Sequence, residues 1–306
     1  MALLVRIGTR GSRLALCQAN QIAGLLKEYA DPTIVEIHTA GDQVRDVPLS
    51  LIGGEGAFTK ELERALLDFK IDVAVHSLKD LPTVHIAGLV LAAVPPRGPT
   101  GDVFVSSRHR SFDSLPAGAV VATSSLRRRA QVLHRRPDLQ VVNIRGNVET
   151  RLRKLDEENL DALILAEAGL VRLGLDDAIT EVLDPAWMLP AVGQGALGLE
   201  CRVDDEETLE VVRLLDDPDT HEAVLAERAL MRTLQGGCQV PIGAAARVGY
   251  QRLILRGAVL DVDGKQRIEG QLSGGLDHAE ELGRELARDL LARGAGELLR
   301  NKKFSS

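Results

Sequence analysis

Aromatic side chains make up only 3% of this 306-residue chain, so core packing falls to its plentiful aliphatics and alanines. Cysteine occurs three times, at Cys17, Cys201 and Cys238, far apart and never as CxxC. That spacing gives no disulfide framework and no structural zinc site. No histidine pair has metal-binding spacing, so no metal is expected. No run approaches 18 apolar residues, so no membrane span is expected. The opening stretch "MALLVRIGTRGSRLAL" has too short an apolar run for a secretory signal, and Arg6 interrupts it early. A cytoplasmic protein follows as the expectation. The glycine-rich stretches "VGQGALG" and "GGEGAF" lack the lysine and Ser/Thr of a phosphate loop. The formal net charge of −7 argues against a general nucleic-acid coat. Arginine heavily outnumbers lysine, a bias that genome composition and heat adaptation both produce.

What is present is enough apolar sequence, 45%, for two or three domains rather than one. "LLVRIGT" (3–9) and "TIVEIHT" (33–39) have strand character. Between them Ala15, Ala19, Ile22 and Leu26 share one helix face. Residues 41–57 have many turn formers and no period, which predicts a long loop, with gating a hypothesis. Phe58, Leu62, Ala65, Leu66 and Phe69 predict a helix over 58–69, and "IDVAVHS" (71–77) predicts a strand. The proline-rich run 92–102 is a natural crossing between domains. Strand and helix patterns alternate again over 100–190, giving a second α/β domain. "LPAVGQGALGLECRV" (189–203) turns from glycine-rich to strand-like. A helix with Ala223, Ala226, Leu230 and Leu234 on one side is predicted to stop at the Gly236–Gly237 pair. Three strands within 242–273 and a helix over 277–293 predict a small α+β domain at the C-terminal end.

Charge is concentrated locally. From Val120 to Leu155 there are eight arginines and Lys154, against only Asp138 and Glu149. Arg127, Arg128 and Arg129 follow the strand "VVATSS", with Ser124 and Ser125 beside them. Arg145 ends the next strand, and Arg151 lies just beyond. Ligands of open α/β sheets sit past the carboxyl ends of strands. Planar guanidinium donors suit carboxylates and phosphates. Phosphate, RNA and organic polycarboxylate all fit the charge alone, though the acidic chain disfavours RNA. An ordinary solvated helix face with salt bridges is the alternative. Similarly, "AVHSLKDLPT" puts His76, Ser77, Lys79 and Asp80 at the end of an apolar strand. A carboxylate there could stabilise a cation or accept a proton, or merely form a turn. His76 and Ser77 alternate faces of a strand, which disfavours a serine–histidine nucleophile pair. Cys238 lies in "GGCQV", where glycines permit close approach of a bulky group. It is a nucleophile, an attachment point or a turn-packed hydrophobe. The preceding helix presents its C-terminal end, the wrong end of the dipole for activating a thiol. Cys17 and Cys201 are expected to be structural.

Seven stretches in order, "IGTRGSRLALCQA", "GDQVRDVPLSLIGGEGAFTKELE", "IDVAVHSLKDLPT", "ATSSLRRRAQ", "NIRGNVETRLRKL", "AVGQGALGLECR" and "GGCQVPIG", resemble the porphobilinogen deaminase family, also called hydroxymethylbilane synthases. The resemblance runs nearly end to end. It implies an α/β fold class: two periplasmic-binding-protein-like domains with a cleft, plus a small α+β C-terminal domain. The expected boundaries are 1–97 with 193–213 for domain 1, 100–190 for domain 2 and 214–306 for domain 3. It implies a monomeric transferase of porphyrin and heme biosynthesis. Such an enzyme joins four porphobilinogen molecules head to tail, with loss of ammonia, on a covalent dipyrromethane primer, and water then releases hydroxymethylbilane. Cys238 is implied to carry that cofactor by a thioether. Ser77, Lys79, Ser125, Arg127, Arg128 and Arg145 are implied cofactor contacts. Arg10, Ser12, Arg145, Arg151 and Arg172 are implied contacts of the substrate and growing tetrapyrrole. Asp80 is the implied catalyst, facing a pyrrole N–H and assisting proton loss. One departure stands out: the family's Gly-Lys-Gly-Leu-Phe is here Gly54-Glu55-Gly56-Ala57-Phe58, an acid in place of a base. The rival is a non-catalytic α/β binding protein for a polycarboxylate or other small anion, since a fold does not settle function.

Overall fold

The computed structural model describes residues 2–38, 59–84, 86–236 and 240–300. The chain divides into two compact units, 1–98 with 195–221, and 99–194 with 222–306. The predicted 41–57 loop, Phe58, Glu55 and Cys238 lie outside the described residues.

The first unit holds β1 (Leu4–Thr9), α1 (Arg13–Leu26), β2 (Asp31–Glu36), α2 (Lys60–Leu67), β3 (Val73–Ser77) and β4 (Leu89–Ala93). β10 (Leu197–Arg202) returns to this sheet late in the chain, and α6 (Glu206–Arg213) follows it. The strand order is β2-β1-β3-β10-β4. β1 runs parallel to β2 and β3, whereas β10 runs antiparallel to β3 and β4. Ala19, Ile22 and Leu26 of α1 pack on Val5, Ile7, Val73 and Val75. Leu62, Ala65 and Leu66 of α2 pack with Ile71, Ala74 and Leu89. The predicted helix over 58–69 is shorter at its C-terminal end. Phe69 adopts a left-handed φ of 56°, which a helix cannot propagate. Its ring is exposed rather than in the core, and the Arg202 guanidinium stands 4.7 Å from the ring centroid. Cys201 is buried in β10, and burial pushes its thiol up, out of reactive range.

The second unit holds β5 (Asp102–Val105), β6 (Val120–Ala122), α3 (Leu126–Arg135), β7 (Gln140–Val142), α4 (Val148–Glu157), β8 (Ala162–Ala166), α5 (Glu167–Leu173) and β9 (Glu181–Val182). Its order, β7-β6-β8-β5-β9, repeats the first. In each sheet three parallel strands are followed by one antiparallel strand and then an edge strand. That antiparallel strand is β10 in the first sheet and β5 in the second. Each is the first strand after a crossing of the chain between units.

α7 (Pro218–Thr233) precedes an antiparallel sheet of β11 (Ile242–Gly249), β12 (Arg252–Leu260) and β13 (Arg267–Gly274), covered by α8 (Ala279–Ala292) and α9 (Ala295–Arg300). The predicted face of α7, Ala223, Ala226, Leu230 and Leu234, is buried against Leu253, Leu255, Leu286 and Leu290. The stop differs from the expectation. Gln235, at φ 53°, takes the left-handed position ahead of the glycines. Gly236 serves packing instead: a Cβ there would lie 2.5 Å from Cδ1 of Ile242. The mixed α/β class with two such sheets and a small α+β portion is therefore present.

One buried carboxylate, just ahead of β3, ties together the strands on either side of it. Asp72 accepts from the Arg6 side chain at 2.7 and 2.9 Å and from Arg202 at 2.9 Å. Arg202 also donates to the Leu66 and Ile71 carbonyls at 3.0 and 2.6 Å. Burial pushes the Asp72 carboxyl up, but the hydrogen bonds from Arg6 and Arg202 overcome this and hold it at about 2. A folded value below the unfolded one stabilises above the unfolded pKa and is lost as pH falls through the folded one. Stability measured by denaturant titration is expected to fall from about pH 4 toward about pH 2, and Asp72→Asn to flatten that fall while lowering stability at neutral pH.

Candidate active site

In the first unit, a cavity of about 130 Å³ lies at the carboxyl ends of β1 and β3. Its lining includes Arg10, Ser12, Ser77, Lys79 and Asp80, five of the implied site residues. Local structure explains the gathering. β1 ends at Thr9, whose buried Oγ1 donates to the Ala15 carbonyl at 3.0 Å and folds the chain back into α1. Ser12 is the N-cap of α1, accepting from the Ala15 N–H at 3.3 Å. The next strand, β3, ends at Ser77 and passes straight into a single 3-10 turn, Leu78–Asp80. The buried Leu78 anchors that turn, and its N–H donates to the Ala196 carbonyl at 3.0 Å. Gly198 on β10 makes room: a Cβ there would lie 2.6 Å from Cδ1 of Leu78. Lys79 and Asp80 are left half-buried at the cavity. Among the described residues no hydrogen bond or ion pair engages the Asp80 carboxylate.

Gln18 is a site residue that sequence reasoning missed. Its side chain and the Ser77 hydroxyl bond reciprocally, at 2.8 and 3.1 Å, on the cavity wall. A buried glutamine on the apolar stripe of α1, between Ala15 and Ile22, was the available signal. His76 also lines the cavity, but its Nε2 lies 3.2 Å from Glu200 Oε2. Ser77 and His76 therefore serve different partners, as strand alternation predicts.

The other implied residues lie in the second unit. Ser125 is the N-cap of α3, accepting from the Arg128 N–H at 3.4 Å. Arg127 and Arg128 are buried and converge on the fully buried Asp102, at 2.6 and 2.8 Å. Gln194 Nε2 donates to the same carboxylate at 2.9 Å. Burial pushes Asp102 up, but the charges of Arg127 and Arg128 and the hydrogen bonds from Arg127 and Gln194 hold it at about 2. Burial also pulls the Arg128 guanidinium down from its ordinary value. Two guanidiniums against one carboxylate leave a local charge of +1 at the start of α3. Asp102 sits in an apolar strand pattern, 25 residues from Arg127, which hid the partnership from the sequence. Arg145 follows β7, half-buried. Arg151, in the first turns of α4, donates to the Gly146 carbonyl at 2.8 Å. Arg172 is in the last turn of α5. Cys238 lies outside the described residues, but Leu234 and Val240 on either side of it are buried in one core. Among the described residues no group of His, Cys, Asp and Glu could hold a metal ion. Among the described residues no helix is long and apolar enough to cross a membrane.

The site is thus a carboxylate beside Arg10 and Lys79 at strand ends of one α/β sheet, and the second sheet gathers two guanidiniums on Asp102 at the start of α3. The chain belongs to the porphobilinogen deaminase family. Residues 5–210 match the family model "Porphobilinogen deaminase, dipyromethane cofactor binding domain", and residues 221–292 match "Porphobilinogen deaminase, C-terminal domain". A porphobilinogen deaminase of Desulforudis audaxviator is 54% identical over 298 residues, covering 96% of both chains. One of Syntrophotalea carbinolica is 52% identical, covering 96% of this chain and 95% of the relative. Among solved structures, a putative methionine-binding lipoprotein of Bacillus subtilis is 14% identical, with a TM-score of 0.41, covering 68% of this chain and 90% of that one.

Asp102→Asn leaves two buried guanidiniums facing a neutral amide. It is expected to destabilise the protein by roughly 3–5 kcal/mol in chemical denaturation.

Proposed function

We propose that this enzyme joins four porphobilinogen molecules head to tail, expelling ammonia at each addition, and releases hydroxymethylbilane by hydrolysis. The observation that carries the reading is Asp80 at the cavity with Arg10, Ser12, Ser77 and Lys79, in a chain of this family. The near-complete match to deaminases favours it over an anion-binding protein without catalysis.

The donor set suits a dipyrromethane, whose pyrroles bear acetate and propionate groups. Ser77, Lys79, Ser125, Arg127, Arg128 and Arg145 are the side chains that the family reading assigns to it. Hydroxyls, an ammonium and guanidiniums are the groups that bind carboxylates, at about 1.5–3 kcal/mol per charge-assisted bond. The excess positive charge over Asp102 suits the same anions. When bound, by a thioether to Cys238, the dipyrromethane supplies the pyrrole carbon to which units are added.

Arg10, Ser12, Arg145, Arg151 and Arg172 hold the carboxylates of substrate and growing chain. They counter repulsion among accumulating charges and orient each unit. Asp80 faces the pyrrole N–H of the arriving unit. As the aminomethyl nitrogen departs, the ring becomes cationic, and the fixed carboxylate stabilises that charge in a site partly withdrawn from water. We take 1–97 with 193–213, 100–190 and 214–306 as the three domains, and the protein as a cytoplasmic monomer that engages no nucleic acid or membrane.

Single-turnover measurement of porphobilinogen incorporation tests the role of Asp80. Asp80→Glu is expected to retain some activity, and Asp80→Asn to lose at least about 100-fold, near the lower bound for a positioned charge of this kind. Normal single-turnover chemistry in Asp80→Asn overturns the assignment.

A further inference from the structure

The helix that carries Arg127 and Arg128 makes a second set of polar contacts that the mechanism above does not use. Gln131 lies four residues beyond Arg127 on the same face of α3 and is 1% exposed. Its amide grips the backbone of one residue. The Leu189 N–H donates to Oε1 at 2.9 Å, and Nε2 donates to the Leu189 carbonyl at 3.0 Å. That carbonyl also accepts from Nη1 of Arg127 at 2.5 Å. Leu189 is buried and lies in no strand, so these side chains supply the partners its backbone needs.

The other side of this segment is taken by the C-terminal sheet. The Pro190 carbonyl accepts from the N–H of Ala244 on β11 at 2.9 Å. Gly243 permits the approach: a Cβ there would lie 2.7 Å from Cβ of Leu189 and 3.0 Å from its carbonyl oxygen. β11 begins at Ile242, four residues after Cys238. Leu189 and Pro190 are thus a spacer between the arginine helix and the strand that follows the cysteine. A second contact, near the end of α3, sets the same spacing. His134 Nδ1 donates to the carbonyl of Gly264, in the turn between β12 and β13, at 2.8 Å. Gly264 adopts a φ of 70°, and a Cβ there would lie 2.5 Å from the His134 backbone nitrogen. Leu260, at the end of β12, donates its N–H to the Pro241 carbonyl at 3.1 Å and packs with Ala130 and Leu189. All of these residues belong to the second unit.

We propose that Gln131 is a positioning residue, which fixes the chain following Cys238 at a set distance from the guanidiniums of Arg127 and Arg128. This rests on the functional reading above, in which Cys238 anchors the dipyrromethane and the two arginines meet its carboxylates. The reach from the anchoring sulfur to those carboxylates is limited by covalent bonds. Pairs between carboxylates and planar guanidiniums are directional. A shift of the anchoring chain against α3 therefore misaligns the primer, while Arg10 and Ser12 still meet the arriving unit. A misplacement of about 1 Å can cost roughly 100-fold in rate. The signature is a fall in kcat with KM little changed.

Three variants separate positioning from stability. Gln131→Met keeps the length of the side chain and loses both hydrogen bonds to Leu189. Gly264→Ala pushes on α3 from the turn and leaves Gln131 intact. Gly257→Ala is the control. Its Cβ would lie 2.7 Å from Cδ2 of Leu230, so it disturbs the core between β12 and the helices α7 and α8 and does not touch α3. Steady-state kcat and KM for porphobilinogen are measured per cofactor-bearing chain, counted by intact mass, together with each variant's denaturation midpoint. Gln131→Met and Gly264→Ala are each expected to lower kcat by about 10- to 100-fold with KM little changed. Gly257→Ala is expected to lower the midpoint and keep kcat. Full kcat in Gln131→Met overturns the inference. An equal loss of kcat in Gly257→Ala overturns it as well, because activity then follows stability alone. If Gln131→Met does not fold, full kcat in Gly264→Ala overturns it by itself. A wild-type protein that consumes no porphobilinogen overturns the functional reading itself. Active wild type with an unimpaired Gln131→Met overturns only the role of Gln131.

Discussion

β10 runs antiparallel between β3 and β4, and its register against β3 governs what the site can be. Ala196, just before the strand, takes the N–H of Leu78. Gly198 leaves room for the Leu78 side chain and stands opposite His76. Glu200 reaches His76 from two residues further along. A slip of one residue would reverse the faces of all these side chains. It would unseat the turn that carries Lys79 and Asp80. Because β10 is supplied by a late return of the chain, this site is complete only when the excursion from 99 to 194 has been closed. The same topology recurs in the second sheet, where β5 takes the antiparallel place and carries Asp102. In both sheets, the strand that interrupts the parallel pattern brings in the carboxylate that orders a neighbouring base or cation.

The charges are arranged in layers. Buried acids hold bases in place: Asp72 with the part-exposed Arg6 and the buried Arg202, Asp102 with buried Arg127 and Arg128, Glu200 with buried His76. A lone buried guanidinium is costly, and a paired one is rigid. Two arginines on one aspartate leave a residual positive charge without the flexibility of an exposed side chain. That suits an enzyme that must hold a lengthening polyanion by its carboxylates yet release it at the end. Asp80 differs from the paired carboxylates in having no hydrogen-bond or ion-pair partner among the described residues.

The elements were legible where a single physical signal dominated. The apolar stripe of α1, the face of α7 and the strand ahead of Ser77 all follow from period and burial. The order of motifs pointed to the family, and five of the implied site residues line one cavity. Less legible were features decided by tertiary contact. Phe69 continues the apolar period of α2, yet its left-handed backbone and the Arg202 guanidinium take it out of the core. The stop of α7 falls at Gln235 rather than at the glycines, because Gly236 is needed for close packing on Ile242. Arg127 and Arg128 read from sequence as ligand contacts or as part of an ordinary solvated, salt-bridged helix face. Their ion pairs with Asp102 depend on a strand pairing that no local pattern encodes. Gln18 and Glu200 were overlooked for a similar reason: each is a polar residue in an apolar stretch, and its partner is distant in sequence.

The account turns on Cys238 as the anchor of a covalent primer. Intact mass of the purified protein, followed by peptide mapping across 236–240, tests it most directly. The expected result is a two-pyrrole addition confined to the Cys238 peptide, present on isolation or acquired on incubation with porphobilinogen. A chain that remains unmodified at Cys238 after that incubation contradicts it.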